Sequence, residues 1–378
     1  MKKYLWIVVI VVVVLIVVGV VSQKPTETGP IKLGFISALS GDAAVVGEIE
    51  KNTTEMAIKE INDAGGVNGR QLEVIYEDAK CNAKDALNAV QKLINMDKVK
   101  VILGAGCSSE SLAIVPVATA NKVLMFSAGS SHPDLTGISK YFIRNYPSDY
   151  ANSTIDGELM SKLYKKVAIV SENADYPMGI KKSLEEIFQK NNIQIVSNEV
   201  FNTGNSNTKD FKSIFTKIKA SGAEAVYLNP APGATISALM VKQARDIGLM
   251  IPVHGNTTVI SAEAIKIAGK YMEGAISSDS TTLSEKGLAV LEKYKKLYGK
   301  EPALAYFMGS NYDRAYLIAE AIGKVGYDAD KIVAYLKSIK EYDGTIGKYH
   351  FADNGDVVGV GFRPVMVKDG KEVPYVQQ

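Results

Sequence analysis

Cysteine, histidine and tryptophan are scarce in this chain, at two, three and one in 378 residues. His132, His254 and His350 lie far apart in sequence and share no metal-ligand spacing with the cysteines, so neither a structural nor a catalytic zinc site is expected. An excess of one charge is missing too. The formal net charge is +2 and no long block of like charges occurs, which argues against nucleic acid or a strongly acidic surface as a partner. The only Trp, Trp6, falls in an apolar N-terminal segment. With an ordinary apolar fraction of 47%, the length is enough for two domains.

The N-terminus carries the longest uncharged run. Lys2 and Lys3 precede a stretch from Leu5 to Val21 without a charge. A membrane span needs about 17–25 such residues, so an uncleaved signal anchor is expected, with a cleaved signal peptide as the alternative. A buried strand or helix is a third option, disfavoured because the Val/Ile run has no polar face. The polar segment Ser22 to Pro30 reads as a tether, and the two lysines favour an extracytoplasmic body. In that compartment Cys81 and Cys107 read as a disulfide rather than a redox or metal pair, with two buried free thiols as the other reading. Each follows a predicted strand, at 73–78 and 99–103, and adjacent parallel strands would end on one edge.

The stretch from Val99 to Thr136 organises the rest. A β-branched run to Leu103 ends in Gly104-Ala105-Gly106-Cys107-Ser108-Ser109; a helix follows from Glu110 to Ala120; Val123 to Phe126 is again a strand, ending in Ser127-Ala128-Gly129-Ser130-Ser131. Ligands of parallel α/β sheets sit beyond the carboxyl ends of the strands. Here two successive strands deliver small residues, hydroxyls and backbone amides to that edge, a pattern suited to an anion. Ordinary βα turns, with each serine acting as a helix cap, are the plain alternative, and capping does not preclude binding.

The alternation extends along the chain. Ile31 to Ile36 is the first strand, Ala43 to Asn62 a helix, Gln71 to Asp78 a strand and Ala83 to Met96 a helix. The pattern is irregular around Tyr146 to Tyr150. It resumes with strands at 166–170, 194–201, 225–228, 251–255 and 274–278 and helices to 191 and at 208–220 and 234–247. Helices are also predicted at 284–298, 305–325 and 330–339, and Asp353-Asn354-Gly355 marks a hairpin. The fold class is therefore α/β with parallel sheets covered on both faces.

Leu39-Ser40-Gly41, then Ile61-Asn62-Asp63-Ala64-Gly65-Gly66-Val67-Asn68-Gly69-Arg70, then Glu77-Asp78, resemble the opening of the leucine/isoleucine/valine-binding protein family. The likeness continues through Gly104 to Ser109 and Pro133 to Thr136 and covers roughly Ile31 to the C-terminus. It implies an extracytoplasmic substrate-binding protein of an ABC importer, of the type I periplasmic-binding fold, with two lobes joined by a hinge and a disulfide at positions matching Cys81 and Cys107. The implied division is anchor and tether 1–30, first lobe 31–147 and 281–346, second lobe 148–280 and 347–378. It implies no cofactor, a small-molecule solute and a membrane permease as partners, and a monomer.

The resemblance also implies ligand contacts. Ser108 and Ser131 would hold the ligand carboxylate, with Ser109 beside them. The carbonyl near Gly129 would take part of an ammonium, Tyr176 would close from the second lobe and Phe307 would line the side-chain pocket. Two positions depart from the family. Thr257 stands where the family has its ammonium-binding Glu, and Val46 stands where a ligand-contacting Tyr is common. An ammonium buried without a carboxylate is costly. A solute lacking an α-amine, a carboxylate or an amide, is therefore the alternative to a branched-chain amino acid, unless the amine is met elsewhere, for example by Asp279.

Enzymes are disfavoured. Gly104-Ala105-Gly106-x-x-Ser109 is a weak dinucleotide match without a ribose-binding acid, and Ser131-His132-x-Asp134 lacks a nucleophile elbow. A sensor ectodomain of the same fold is a further alternative, although only a few residues precede the apolar run. Asn52, Asn152 and Asn256 each begin a glycosylation sequon.

Overall fold

The computed structural model describes residues 29–202, 210–280 and 283–376. The expected anchor and tether at 1–30 lie almost wholly outside the described residues. Among the described residues no helix is long and apolar enough to cross a membrane.

Elements alternate as the sequence implies. They run β1 (Ile31–Ser37), α1 (Ala44–Asp63), β2 (Leu72–Asp78), α2 (Ala83–Asn95), β3 (Val101–Gly104), α3 (Ser108–Ala120), β4 (Leu124–Ser127) and β5 (Phe142–Arg144). There follow α4 (Asp149–Leu163), β6 (Lys166–Glu172), α5 (Asp175–Lys190), β7 (Gln194–Phe201), α6 (Lys212–Ser221), β8 (Ala225–Asn229), α7 (Ala234–Asp246), β9 (Val253–Gly255), α8 (Ala262–Ala268) and β10 (Ile276–Ser280). The chain ends with α9 (Glu285–Tyr298), α10 (Ala305–Val325), α11 (Ala329–Ser338), β11 (Tyr342–Gly344), β12 (Gly347–Phe351), β13 (Val357–Val358), β14 (Phe362–Lys368) and β15 (Lys371–Pro374).

A five-stranded parallel sheet, ordered β2-β1-β3-β4-β5, forms the first lobe. Its strands read as near-continuous apolar runs because helices cover both faces. Leu33, Phe35, Leu103 and Phe126 pack with Ile318, Ile322, Ile332 and Leu336 of α10 and α11 on one face, while Ile36, Ile102 and Met125 meet Val90, Leu93 and Ile114 of α2 and α3 on the other. The second lobe is a seven-stranded sheet, ordered β15-β14-β10-β9-β8-β6-β7, in which β14 and β15 run antiparallel at one edge. The chain passes between the lobes after β5, after β10 and after β13.

The division expected at 347 moves. Tyr349, Phe351 and Val357 belong to the first lobe's core, and Phe351 meets Phe126 edge-on at 5.5 Å. The crossing therefore falls between Val358 and Phe362, because the alternating aromatics of β12 are buried on the first sheet rather than the second. Helix α4 is unanticipated. It buries Asp149, Asn152, Ser153, Asp156 and Gly157, with Leu159 and Met160 only in its last turns, so no apolar stripe runs its length.

Cys81 and Cys107 are joined by a disulfide with Cα atoms 5.4 Å apart. Their strands β2 and β3 are not neighbours, contrary to the expectation; β1 lies between them. The turn after β2 bends over the end of β1, where the Ala79 amide donates to the Ser37 carbonyl at 2.9 Å, and this brings Cys81 to the turn after β3. The bridge closes 26 residues. Replacing both cysteines by serine is expected to cost about 3 kcal/mol in chemical denaturation, by the chain-entropy argument. Equal midpoints for the parent and the double variant would contradict a stabilising bridge.

Candidate functional site

A cleft of about 680 Å³ opens between the lobes at the carboxyl ends of the parallel strands. Ser108, Ser109, Gly129, Ser131, Tyr176, Thr257 and Phe307 all line it, as do Val46 and Asp279. These residues come from both lobes.

On the first-lobe side, two glycine/serine turns lie side by side and are held by their own hydrogen bonds. Ser127 donates its hydroxyl to the Ala105 carbonyl at 2.7 Å and accepts from the Ser130 amide at 2.9 Å. Buried Arg144 donates to the Ser130 and His132 carbonyls at 3.2 and 3.0 Å and pairs with Asp356 at 2.6 Å. Glu110 accepts from the amides of Cys107 and Cys81, both at 2.9 Å, so one carboxyl holds both halves of the disulfide turn. Ser109 donates its hydroxyl to the Cys81 carbonyl at 2.8 Å and serves that turn. Ser108 accepts from the His132 amide at 3.2 Å and keeps its own proton for another partner.

Two glycines are required by close approach. A Cβ on Gly106 would lie 2.3 Å from a Glu50 carboxylate oxygen, and one on Gly129 would lie 2.4 Å from the Phe307 ring. Phe307 therefore rests on the Gly129 backbone and makes the apolar wall next to Ser131. Tyr146 stands edge-on to Phe307 and to Tyr306, with ring centres 6.2 and 5.8 Å away.

The second lobe contributes a polar lip. The hydroxyls of Tyr176 and Thr257 lie 3.3 Å apart. Asn256 is buried and donates to the Asn229 side-chain oxygen and the Pro230 carbonyl at 2.9 and 2.8 Å, fixing the loop that carries Thr257. The sequon asparagines Asn152 and Asn256 are both fully buried. The lobes touch at one edge of the cleft, where Lys182 pairs with Asp134 at 3.4 Å and a Cβ on Gly179 would meet the His132 ring at 2.5 Å.

Sequence reasoning missed Tyr146, Tyr306, Arg363 and Glu372, which line the cleft too. Tyr146 lies in the irregular crossing. Arg363 lies on β14, whose pairing with β10, some eighty residues away in sequence, no local pattern gives, and Glu372 lies on β15, which pairs with β14.

Burial raises several carboxyls to near or above neutrality. Glu110 is pushed up to about 8, chiefly by burial against the pull of the Cys107 amide. Asp149, bonded to the Ser131 hydroxyl, and Asp156, bonded to the Tyr227 hydroxyl at 2.8 Å, are both raised by burial to about 7. Burial holds His254 low, at about 3. Just above pH 6.5 the unfolded chain sheds the last of its charge at that histidine, which opposes the carboxyl effect only in part. The folded chain then still holds carboxyl protons that the unfolded chain has released, so stability falls as pH rises. The melting temperature is expected to be lower near the Glu110 value of about 8 than at pH 6.5; a rise over that interval would contradict these assignments.

Residues 30–371 match the family model described as periplasmic binding protein. A leucine-, isoleucine-, valine-, threonine- and alanine-binding protein of Pseudomonas aeruginosa is 28% identical over 342 residues, covering 88% of each chain. The branched-chain amino acid transporter substrate binding protein LivJ of Streptococcus pneumoniae, solved with isoleucine, superposes with a TM-score of 0.80 at 28% identity over 91% of this chain and 97% of its own. A solute binding protein of an ABC transporter from Rhodopseudomonas palustris, solved with 3,4-dihydroxybenzoic acid, has the same fold, with a TM-score of 0.79 at 24% identity over 92% of this chain and 98% of its own. The interlobe cleft and these likenesses together place the chain in the periplasmic binding protein family.

Proposed function

We propose that this chain is the extracytoplasmic solute-binding component of an ABC importer, which binds a small carboxylate-bearing solute between its lobes and presents the closed form to a membrane permease. The observation that carries the reading is the meeting of Ser108 and Ser131 of one lobe with Tyr176 and Thr257 of the other across one cleft. The Ser108 hydroxyl, the small-residue turns and the start of α3 suit a carboxylate, through charge-assisted hydrogen bonds. Phe307 and Tyr146 supply an apolar wall for the rest of the solute. Closure of the lobes on a solute is a hinge motion about the crossings near Tyr146, after β10 and after Val358. The apolar N-terminal run and its polar tether would keep the protein, acting as a monomer, near its permease.

Relatives named for leucine, isoleucine and valine make a branched-chain amino acid the reference solute. Thr257 favours a second reading, a carboxylate with no α-ammonium, because a hydroxyl pair is a poor partner for a buried positive charge.

The test is a thermal-shift screen of the full chain against leucine, isoleucine, valine, their amides and their deaminated acids. A solute at a thousand times its Kd adds about 4 kcal/mol. At least one carboxylate is expected to raise the melting temperature. Ser108→Ala is expected to weaken its binding by about tenfold or more, and to lower the unliganded melting temperature only modestly, through loss of the acceptor for the His132 amide. No shift with any carboxylate would overturn the reading.

A further inference from the structure

The cleft also has acids and a guanidinium on the strands that adjoin the crossings between the lobes. Asp279 on β10 and Arg363 on β14 are cross-strand partners, and Glu372 stands on the adjoining β15. All three line the cleft. The carboxyl of Glu372 is hydrogen-bonded to that of Asp279, so two acids stand at this end with the Arg363 guanidinium. Glu372 remains exposed on β15; crowding by neighbouring groups, and then the Asp279 charge, raise its carboxyl against the pull of Arg363.

Aromatic side chains connect the two ends. Phe307 lies on Gly129 beside the serine turns, and Tyr146 stands against both Phe307 and Tyr306. Tyr306 is only 6% exposed and lines the cleft, and its hydroxyl has no hydrogen-bond partner among the described residues. The Asp279 charge acts on the hydroxyls of both tyrosines. An unsatisfied buried hydroxyl, two ring systems and a pair of acids that repel unless they share a proton are what a cationic nitrogen would relieve. A second carboxylate at this end would instead face the like charges of Asp279 and Glu372.

Resting on the solute-binding reading above, we propose that the solute is an ω-amino carboxylate, with its carboxylate on Ser108 and Ser131 and its ammonium between Asp279 and Glu372 beside Tyr146 and Tyr306. The separation of the two ends explains why position 257 carries Thr. The positive charge of such a solute lies at the far end of its chain, and only uncharged atoms pass the hydroxyl pair of Tyr176 and Thr257.

Calorimetric titration of the full chain tests this with γ-aminobutyrate, δ-aminovalerate and ε-aminocaproate, each beside its deaminated acid, and with leucine and glutarate. At least one ω-amino acid is expected to bind about tenfold or more tighter than its deaminated acid and than leucine. Asp279→Asn is expected to abolish that advantage while the deaminated acid still binds, which also reports that the variant is folded. Equal binding of an ω-amino acid and its deaminated acid, or tighter binding of leucine, would overturn this assignment while leaving the solute-binding reading intact. So would tightest binding of glutarate that is lost in Arg363→Gln. Absence of binding by every one of these compounds would overturn both.

Discussion

Glu50 of α1 and Arg314 of α10 face each other at 3.5 Å, both wholly out of contact with water, directly beneath the floor of the cleft. Burial raises the Glu50 carboxyl and lowers the Arg314 guanidinium to about 10, each opposed by the charge of the other. Neither charge is tolerable there alone, and removing one partner of such a pair costs about 3–5 kcal/mol. The pair fixes more than two helices. Arg314 donates to the Phe126 carbonyl at 3.4 Å, at the end of β4, and to the Thr54 hydroxyl at 3.3 Å, and its guanidinium lies over the Phe35 ring at 5.8 Å. Glu50 presses so closely on the turn after β3 that only glycine fits at 106. The backbone that presents Ser108 is therefore set by a charge pair behind it.

The same arrangement recurs around the serine end. A buried carboxyl stands behind each turn, Glu110 behind Cys107 and Cys81, and Asp149 behind Ser131. Arg144 ties the second turn to Asp356 and so to the late hairpin of the first lobe. These groups consume the turns' internal donors and acceptors and leave the Ser108 hydroxyl proton for a ligand. The cleft edge is thus organised before a solute arrives, and preorganisation of this kind lowers the cost of ordering on binding. The opposite end contains acids and tyrosines instead, so the two ends differ in the charge they accept.

Much of this was legible from the chain. The βα alternation, the two glycine/serine turns and the Asn-x-x-Gly-Gly-x-x-Gly-Arg segment at 62–70 gave the fold class and the serine end, because each depends on local spacing. Helix α4 was not legible, since its inner face is Asp149, Asn152 and Asp156 rather than an apolar stripe. The boundary at 347 was misplaced because a short strand ending in Phe351 reads the same whichever sheet it joins. Arg363 and Glu372 could not be reached from local pattern at all. Arg363 meets Asp279 only through an antiparallel pairing between segments distant in sequence, and Glu372 follows on the next strand. The order of β1, β2 and β3 escaped for the same reason, although the cysteines were found.

The account rests on a cleft whose two walls, carried by separate sheets, come together on a solute. Small-angle scattering of the full chain, with and without saturating leucine, δ-aminovalerate or valerate, measures this directly. A smaller radius of gyration is expected with whichever of these solutes binds, and Ser108→Ala is expected to need about tenfold or more solute to reach it. A bound solute that leaves the radius unchanged would contradict closure between the lobes.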